Sequence, residues 1–524
     1  MDDIKAIVEA SKAWENQDLI ACYDWIVEGL KINYKNYELY LMLGQFYDLF
    51  NQDQAYLCYE NALFYCDNHN DYMLIREFRD ELISRNNISI KKVTIIILSY
   101  NNARMTMDCI ESIRNNNDKS SYELVIVDNA STDGIQDWLT EQDDIKLIKN
   151  KTNLGFPAGC NQGIDIASLE SDILLLNNDT IVPPNAIFWL RMGLYENSEI
   201  GAVGSVSNYA VNYQRVSDEF QTVEEWINFG VRNNVPNKNA YEVKSWLMGF
   251  AMLIKREALN IVGKLDERFS PGNYEDNDYS IRLIMHGYKL LMCKNSFIFH
   301  YGSKSFEKKP LEYYTLLNVN KKKLEEKWGI DYTSYSVVDS NIINLIQPDK
   351  DEFAILEVGC KLGCTLARIK SIYPNALVIG TEKSNELLKM AQNISNVISV
   401  DIEKEGYGEL EGINFDCIIL DNLTNNFLDL KFILKKLKVI LNTKGKIILI
   451  VRNKDFIKES FIDEEIVSFN LGDIVELISI INMKIIDISY IKGVFPKENK
   501  YNVQKEMMKD DITSIAKSFV LIIQ

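Results

Sequence analysis

An α/β protein of several domains, opened by a helical region, is the architecture the sequence predicts. Three observations carry it. Residues 1–88 show helical hydrophobic spacing and a near-repeat. Residues 91–330 alternate short β-branched apolar runs with helical stretches. The same alternation resumes over 350–524, after the polar break IQPDKDE. Strands alternating with helices form parallel sheets covered on both faces. The 524 residues fit this count, since about 150 residues per domain gives three or four domains. A hydrophobic share of 47% supplies several cores and excludes general disorder.

Composition also removes classes of partner. The net charge of −18 makes nucleic acid and anionic membrane poor partners, because both reward a cationic surface. No apolar run approaches the roughly 18 residues of a spanning helix. The acidic start, Met1-Asp2-Asp3, lacks the basic and apolar parts of a secretory signal. A cytoplasmic protein with no integral membrane segment is expected. The nine cysteines are scattered without a Cys-x-x-Cys pair, and the histidines are His69, His286 and His300. Reduced, buried thiols are expected rather than a zinc site.

In the helical region, NQDLIACYDWIVEGL from Asn16 and NQDQAYLCYENALFYC from Asn51 look alike at an offset of 35–36 residues. Between them, Leu43-Gly44 precedes the aromatic Tyr47. This resembles tetratricopeptide repeats, where small residues let paired helices approach and aromatics fill the gap. A plain helical bundle is the alternative. Two units are few for a free-standing solenoid, so the region is expected to dock on the neighbouring α/β block.

In the middle block each apolar run ends in polar residues. KVTIIILSY leads into Asn101 and Asn102. YELVIVDN delivers Asp128 and Asn129 and runs on to Asp133-Gly134. DILLLNNDT delivers Asn177, Asn178 and Asp179. Ligands of open parallel sheets bind outside the carboxyl ends of the strands. Three such ends fit one cleft better than three unrelated turns.

These residues resemble a known family. SYNN, VDNASTDG, NLGFPAGCNQGI, LLLNNDTIVPP, GFAMLIKREAL, LDERFSPGNYEDNDYSIRL and HYGSKSF occur here in the order of the family 2 glycosyltransferases of GT-A fold. The resemblance implies a nucleotide-sugar donor held by Ser99, Tyr100, Asn101, Asp128, Asn129, Gly155, Asn161, Asn178, Trp246 and Gly249, with Asp128 reading a uracil or thymine ring. Gly159 would add close backbone approach near the donor. A departing nucleoside diphosphate gathers negative charge, which a divalent cation can neutralise with few protein ligands, because the phosphates supply oxygens. The family's Asp-x-Asp motif is here Asn177-Asn178-Asp179, so the metal role falls to Asp179, with His300 as further ligand. An imidazole favours Mn2+ over Mg2+. In Glu275-Asp276-Asn277-Asp278, which resembles the family's Glu-Asp-x-Asp, Asp276 is expected to be the general base, with Glu275 as rival. The helix-dipole preference for acids explains the composition of this turn but not the match.

The third block, FAILEVGCKLGCTLARIKSIYPNALVIGTEKSNELLKMAQN, resembles class I S-adenosylmethionine-dependent methyltransferases over roughly 350–455. Glu357, Gly359 and Gly363 fit the acid-x-Gly-x-x-x-Gly motif, and Glu382 the ribose-binding acid. Lys361 replaces the usual middle glycine, and DNLTNNF lacks the Glu-His pair of related enzymes. An inactive, cofactor-free domain is therefore expected over a methylating one.

Together these readings imply a metal-dependent, inverting glycosyltransferase that moves a hexose, UDP-GlcNAc being the first donor to try, to a hydroxyl of a protein or glycan. Serine or threonine of a protein such as flagellin is one such acceptor. The alternatives are an enzyme that also methylates its product, and a noncatalytic scaffold that only binds sugar nucleotides.

Overall fold

The computed structural model describes residues 2–302, 310–404, 406–421, 429–453, 468–492 and 516–524. They fall into two compact units, divided between Tyr332 and Thr333.

The first unit opens with five helices: α1 (Asp3–Glu15), α2 (Leu19–Ile32), α3 (Tyr37–Asp48), α4 (Gln52–Tyr65) and α5 (His69–Arg85). Asp2, Asp18, Asn36, Asn51 and Asn68 cap them, each side chain accepting from a first-turn amide. The look-alike segments fold as α2 and α4, each the second helix of a pair. Gly44 lies under the Tyr59 ring with no room for a Cβ, which is the small-against-aromatic packing its neighbours suggested.

Next in the chain is the main sheet, built from β1 (Lys92–Ser99), α6 (Ala103–Asn116), β2 (Tyr122–Asp128), α7 (Ile135–Thr140), β3 (Ile145–Lys149), α8 (Phe156–Ile166) and β4 (Ser171–Asn177). The chain continues through β5 (Thr180–Ile181), α9 (Ala186–Leu194), β6 (Ile200–Val206), α10 (Val223–Asn233), β7 (Tyr241–Lys244), β8 (Ala251–Ile254) and α11 (Arg256–Val262). It ends in α12 (Glu275–Met285), β9 (Lys289–Phe297), β10 (Phe299–His300) and α13 (Pro310–Trp328). Strand order is β3-β2-β1-β4-β8-β6-β9-β7, and β5 pairs with β10 in a small second sheet. β1 to β4 are parallel as their apolar runs suggested, whereas β7 and β8 run antiparallel to their neighbours. Gly159 and Gly163 let α8 sit directly on Leu98 and Ile96 of β1. Gly159 therefore serves helix-on-sheet packing.

The helical region docks on α9, all nine residues of which are buried. Asn185, in left-handed backbone before that helix, donates to Tyr34 O and Tyr40 Oη and accepts from Asn61 and Tyr65. Buried Arg191 pairs with Glu60, and Gln54 donates to Met192 O at 2.8 Å. The expected docking is thus met by a polar hub set in apolar surroundings.

The second unit holds α14 (Tyr332–Tyr335, which begins at the division), α15 (Ser340–Leu345), β11 (Ala354–Val358), α16 (Cys364–Ile372), β12 (Leu377–Thr381), α17 (Asn385–Ala391), β13 (Val397–Ile398), β14 (Phe415–Asp421), β15 (Leu441–Arg452), β16 (Ile485–Lys492) and β17 (Ala516–Ile523). Strand order is β13-β12-β11-β14-β15-β17-β16, with β17 antiparallel to both neighbours. This is a second Rossmann-like sheet, of the kind the methyltransferase resemblance implied.

Candidate active site

Sheet register brings the polar strand ends of the first unit level: Ser99 pairs with Asp128 and Leu98 with Asn177. Beyond β4 the chain turns through Asn178 and Asp179 into β5. There His300 of β10 lies opposite Thr180, and Tyr301 N–H donates to Asp179 O at 2.9 Å. His300 Nε2 stands 3.2 Å from Asp179 Oδ1. Its Nδ1 is 3.1 Å from Tyr209 O, a carbonyl that can only accept. Nδ1–H therefore donates to Tyr209 O, and Nε2 faces Asp179. An imidazole held this way, with a carboxylate beside its free nitrogen, suits a divalent cation. Asp179 and His300 thus fit the metal site that the sequence suggested. Among the described residues no cluster of three or more such ligands occurs, so a cation here would draw its other ligands from a substrate or water.

The proposed base lies next to this pair through two adjacent residues. Asp276 Oδ2 accepts from Gly249 N–H at 3.0 Å, and Oδ1 accepts from Asn277 N–H at 2.9 Å. Phe250 is next to Gly249; its ring stacks on His300 at 5.2 Å, and its carbonyl accepts from Asn177 N–H. Burial raises the Asp276 carboxyl above its ordinary value. The three acids of this turn diverge. Glu275 is buried with Oε2 unpartnered, and burial plus the charge of Asp276 push its carboxyl well up. Asp278 is fully buried and tied to Arg282, Lys327 and Trp328. Asp276 alone combines a partly exposed residue with contact to the metal-side residues.

The other residues named from sequence frame this centre in different ways. Tyr100 is exposed at the rim. Asn101 accepts from Thr132 N–H, and Asn178 donates to Thr106, whose hydroxyl also faces Ser99. Asp128 is fully buried; Oδ2 accepts from Ser131 N–H and Gln136, while Oδ1 is enclosed without a partner. Asn129 and Asn161 turn to the chain itself. Asn129 bonds Asn153, Leu154 and Asn150 in the 150–155 loop, and Asn161 bonds both backbone groups of Leu265. Gly155 packs against Pro271 with no space for a Cβ, and Phe156 N–H donates to Pro271 O, so the 150–155 loop abuts the turn before Asp276. The segment from Trp246 to Met248 is held by Asn212, Val211 and Gln214. Sequence reasoning passed over Phe250, although it stood inside a quoted motif, and Tyr209, which carries no local signal. The part of HYGSKSF beyond Gly302 lies outside the described residues.

In the second unit Gly359, Lys361 and Gly363 all take left-handed backbone, so Lys361 occupies a glycine-type conformation. Its Nζ reaches 3.8 Å from Asp421 at the end of β14. Glu382 Oε2 accepts from Lys361 N–H, and Oε1 from Lys383 and Ser384 N–H. Glu357 is buried and its carboxyl is pushed up to about 8 by burial, against the pull of Lys361. A neutral Glu357, a Glu382 turned to backbone and a lysine across the strand ends do not fit a cationic sulfonium cofactor. The segment expected to lack a Glu-His pair lies, after Asp421, outside the described residues.

Comparisons with known proteins agree with the fold. Residues 94–261 match the family described as "Glycosyl transferase family 2", so the chain carries a domain of that family. "Glycosyltransferase AglE" of Haloferax volcanii is 22% identical over 203 residues, which is 38% of this chain and 63% of that protein. The chain therefore spans 63% of that curated relative's length. Among solved structures, GalNAc-T7 with UDP, GalNAc and Mn2+ is 14% identical with a TM-score of 0.37, covering 55% of each chain. The plantazolicin methyltransferase BpumL is 20% identical with a TM-score of 0.25, covering 33% of this chain and 76% of its own. Asp276 and His300 lie beyond the matched 94–261. No described helix is long and apolar enough to cross a membrane.

Proposed function

We propose that this chain is an inverting glycosyltransferase that moves a hexose from a nucleotide sugar to an acceptor hydroxyl. The observation that carries the reading is the contiguity of Asp179, His300, Phe250, Gly249 and Asp276: a cation-ready pair and a raised carboxylate joined by two adjacent residues. Asp179 and His300 would hold a divalent cation, Mn2+ first, which when bound neutralises charge on a departing diphosphate. Asp276, held by two backbone N–H groups, takes the proton from the acceptor hydroxyl as that oxygen attacks the anomeric carbon. Attack opposite the leaving group inverts configuration, and no enzyme nucleophile is required. The closed packing of Gly155 on Pro271 keeps the donor-side loop and the base turn in fixed relation.

UDP-GlcNAc is the first donor to try and dTDP-rhamnose the next. A protein Ser or Thr, as in flagellin modification, is the acceptor favoured by the docked helical region, because helical repeats commonly bind peptides. In the second unit, the contacts of Lys361 and Glu382 support a domain without methyl transfer. Release of nucleoside diphosphate from each donor, with and without Mn2+, tests the reading. Metal-stimulated release supports it; binding without turnover in any condition supports a sugar-nucleotide-binding scaffold instead.

A further inference from the structure

We propose that Asn320 is a positioning residue, whose buried amide fixes the 269–274 turn and through it the aim of the Asp276 carboxylate. The inference rests on the glycosyltransferase reading and deepens it. Asn320 lies on α13, well beyond the residues that match the family.

Asn320 is fully buried. Its Nδ2 donates to Phe269 O at 2.7 Å, Gly272 O at 3.0 Å and Asn273 O at 3.2 Å. Only the NH2 end of the amide can serve three carbonyls, and two hydrogens shared among three acceptors hold the turn as a unit. The turn needs holding. Asn273 and Tyr274 both take left-handed backbone, at φ 73° and 72°, which side-chain-bearing residues adopt under strain. Asp276 comes two residues later, in the first turn of α12.

The same face of α13 grips the base helix a second time. Asn320, Leu324, Lys327 and Trp328 recur at helical spacing, and Leu324 is fully buried. Lys327 Nζ stands 2.6 Å from Asp278, and Trp328 Nε1 donates to the same carboxylate at 3.0 Å. Asp276 therefore sits between two attachment points, one before it through Asn320 and one after it through Asp278. A further bond, from Tyr313 Oη to Asn273 Oδ1 at 3.3 Å, ties the same turn. The turn also borders the donor-side loop through Pro271, so its shape sets the approach of hydroxyl to donor.

The test uses the full chain with Mn2+ and either UDP-GlcNAc or dTDP-rhamnose, and monitors nucleotide release by steady-state kinetics. Asn320→Leu removes the donors at nearly constant volume, and Asp276→Asn runs in parallel. The expected result is a kcat about 10- to 100-fold lower, with donor KM within about twofold of wild type, as a displaced base predicts. If Asn320→Leu does not fold, Asn320→Ser, which keeps one donor, and Trp328→Phe, which frees Asp278 from one bond, replace it, with smaller losses in kcat at unchanged KM. A lowered melting temperature with kcat intact assigns Asn320 a merely structural role and overturns the inference. Full turnover by Asp276→Asn, or no release by wild type from either donor, overturns the parent reading and this inference with it.

Discussion

Around Asp179, polar side chains face one another beyond the strand ends of a mixed sheet; around Glu382, the acid faces the chain's own backbone. Both sheets present acids just beyond their strands, and both loops use left-handed residues to do it. In the first unit the histidine Nδ1–H is spent on Tyr209 O, which leaves Nε2 beside a carboxylate. In the second, three backbone N–H groups occupy Glu382, and the Lys361 side chain lies where a glycine would leave space. The two sheets thus differ in which atoms their loops consume. An acid at a strand end is not by itself evidence of a ligand.

The contrast breaks first at Asp276. Asp276→Asn should lower turnover by about 10²- to 10⁴-fold while nucleotide affinity, read by calorimetry, stays near wild type. The wild-type rate should rise with pH through a value above that of a free aspartate, because the base works deprotonated and burial raises it. Next comes His300→Gln, which should increase the Mn2+ needed for half-maximal rate by at least about 10-fold; an unchanged metal requirement would remove His300 from the site.

On the other side of the comparison, Glu357 gives a smaller, pH-shaped effect. Its folded value of about 8 lies above the ordinary 4.5, so between them the folded chain binds more protons than the unfolded. Stability should therefore fall as pH rises from about 5 to about 8, and level off above that. Melting curves of Glu357→Gln should lack this slope. Last, S-adenosylmethionine should give no saturable heat with the full chain below about 1 mM, that is, less than about 4 kcal/mol of binding. Micromolar binding would erase the distinction between the two clefts.

Much of this was legible in the chain. The apolar runs ending in Ser99, Asp128 and Asn177 marked the cleft because period and polarity change at one residue. The look-alike segments from Asn16 and Asn51 marked the paired helices. What sequence could not show was orientation. Asp128 is enclosed with one oxygen unpartnered, and Asn161 is turned to Leu265. Glu275 and Asp276 are neighbours in sequence, and only the backbone at Asn273 and Tyr274 decides which faces Gly249. Asn320 gave no local sign, because its partners are carbonyls 47 to 51 residues away.

The hub at Asn185 and Arg191 bears on how the molecule comes apart. Asp179 is only six positions before Asn185, and the helix after Asn185 is covered on one side by the N-terminal region. Removing residues 1–88 would take away Glu60, the partner of Arg191, and open the buried face of that helix to water. The helical region and the main sheet should melt in one cooperative transition. A shortened version would lose its fold before it lost its partner.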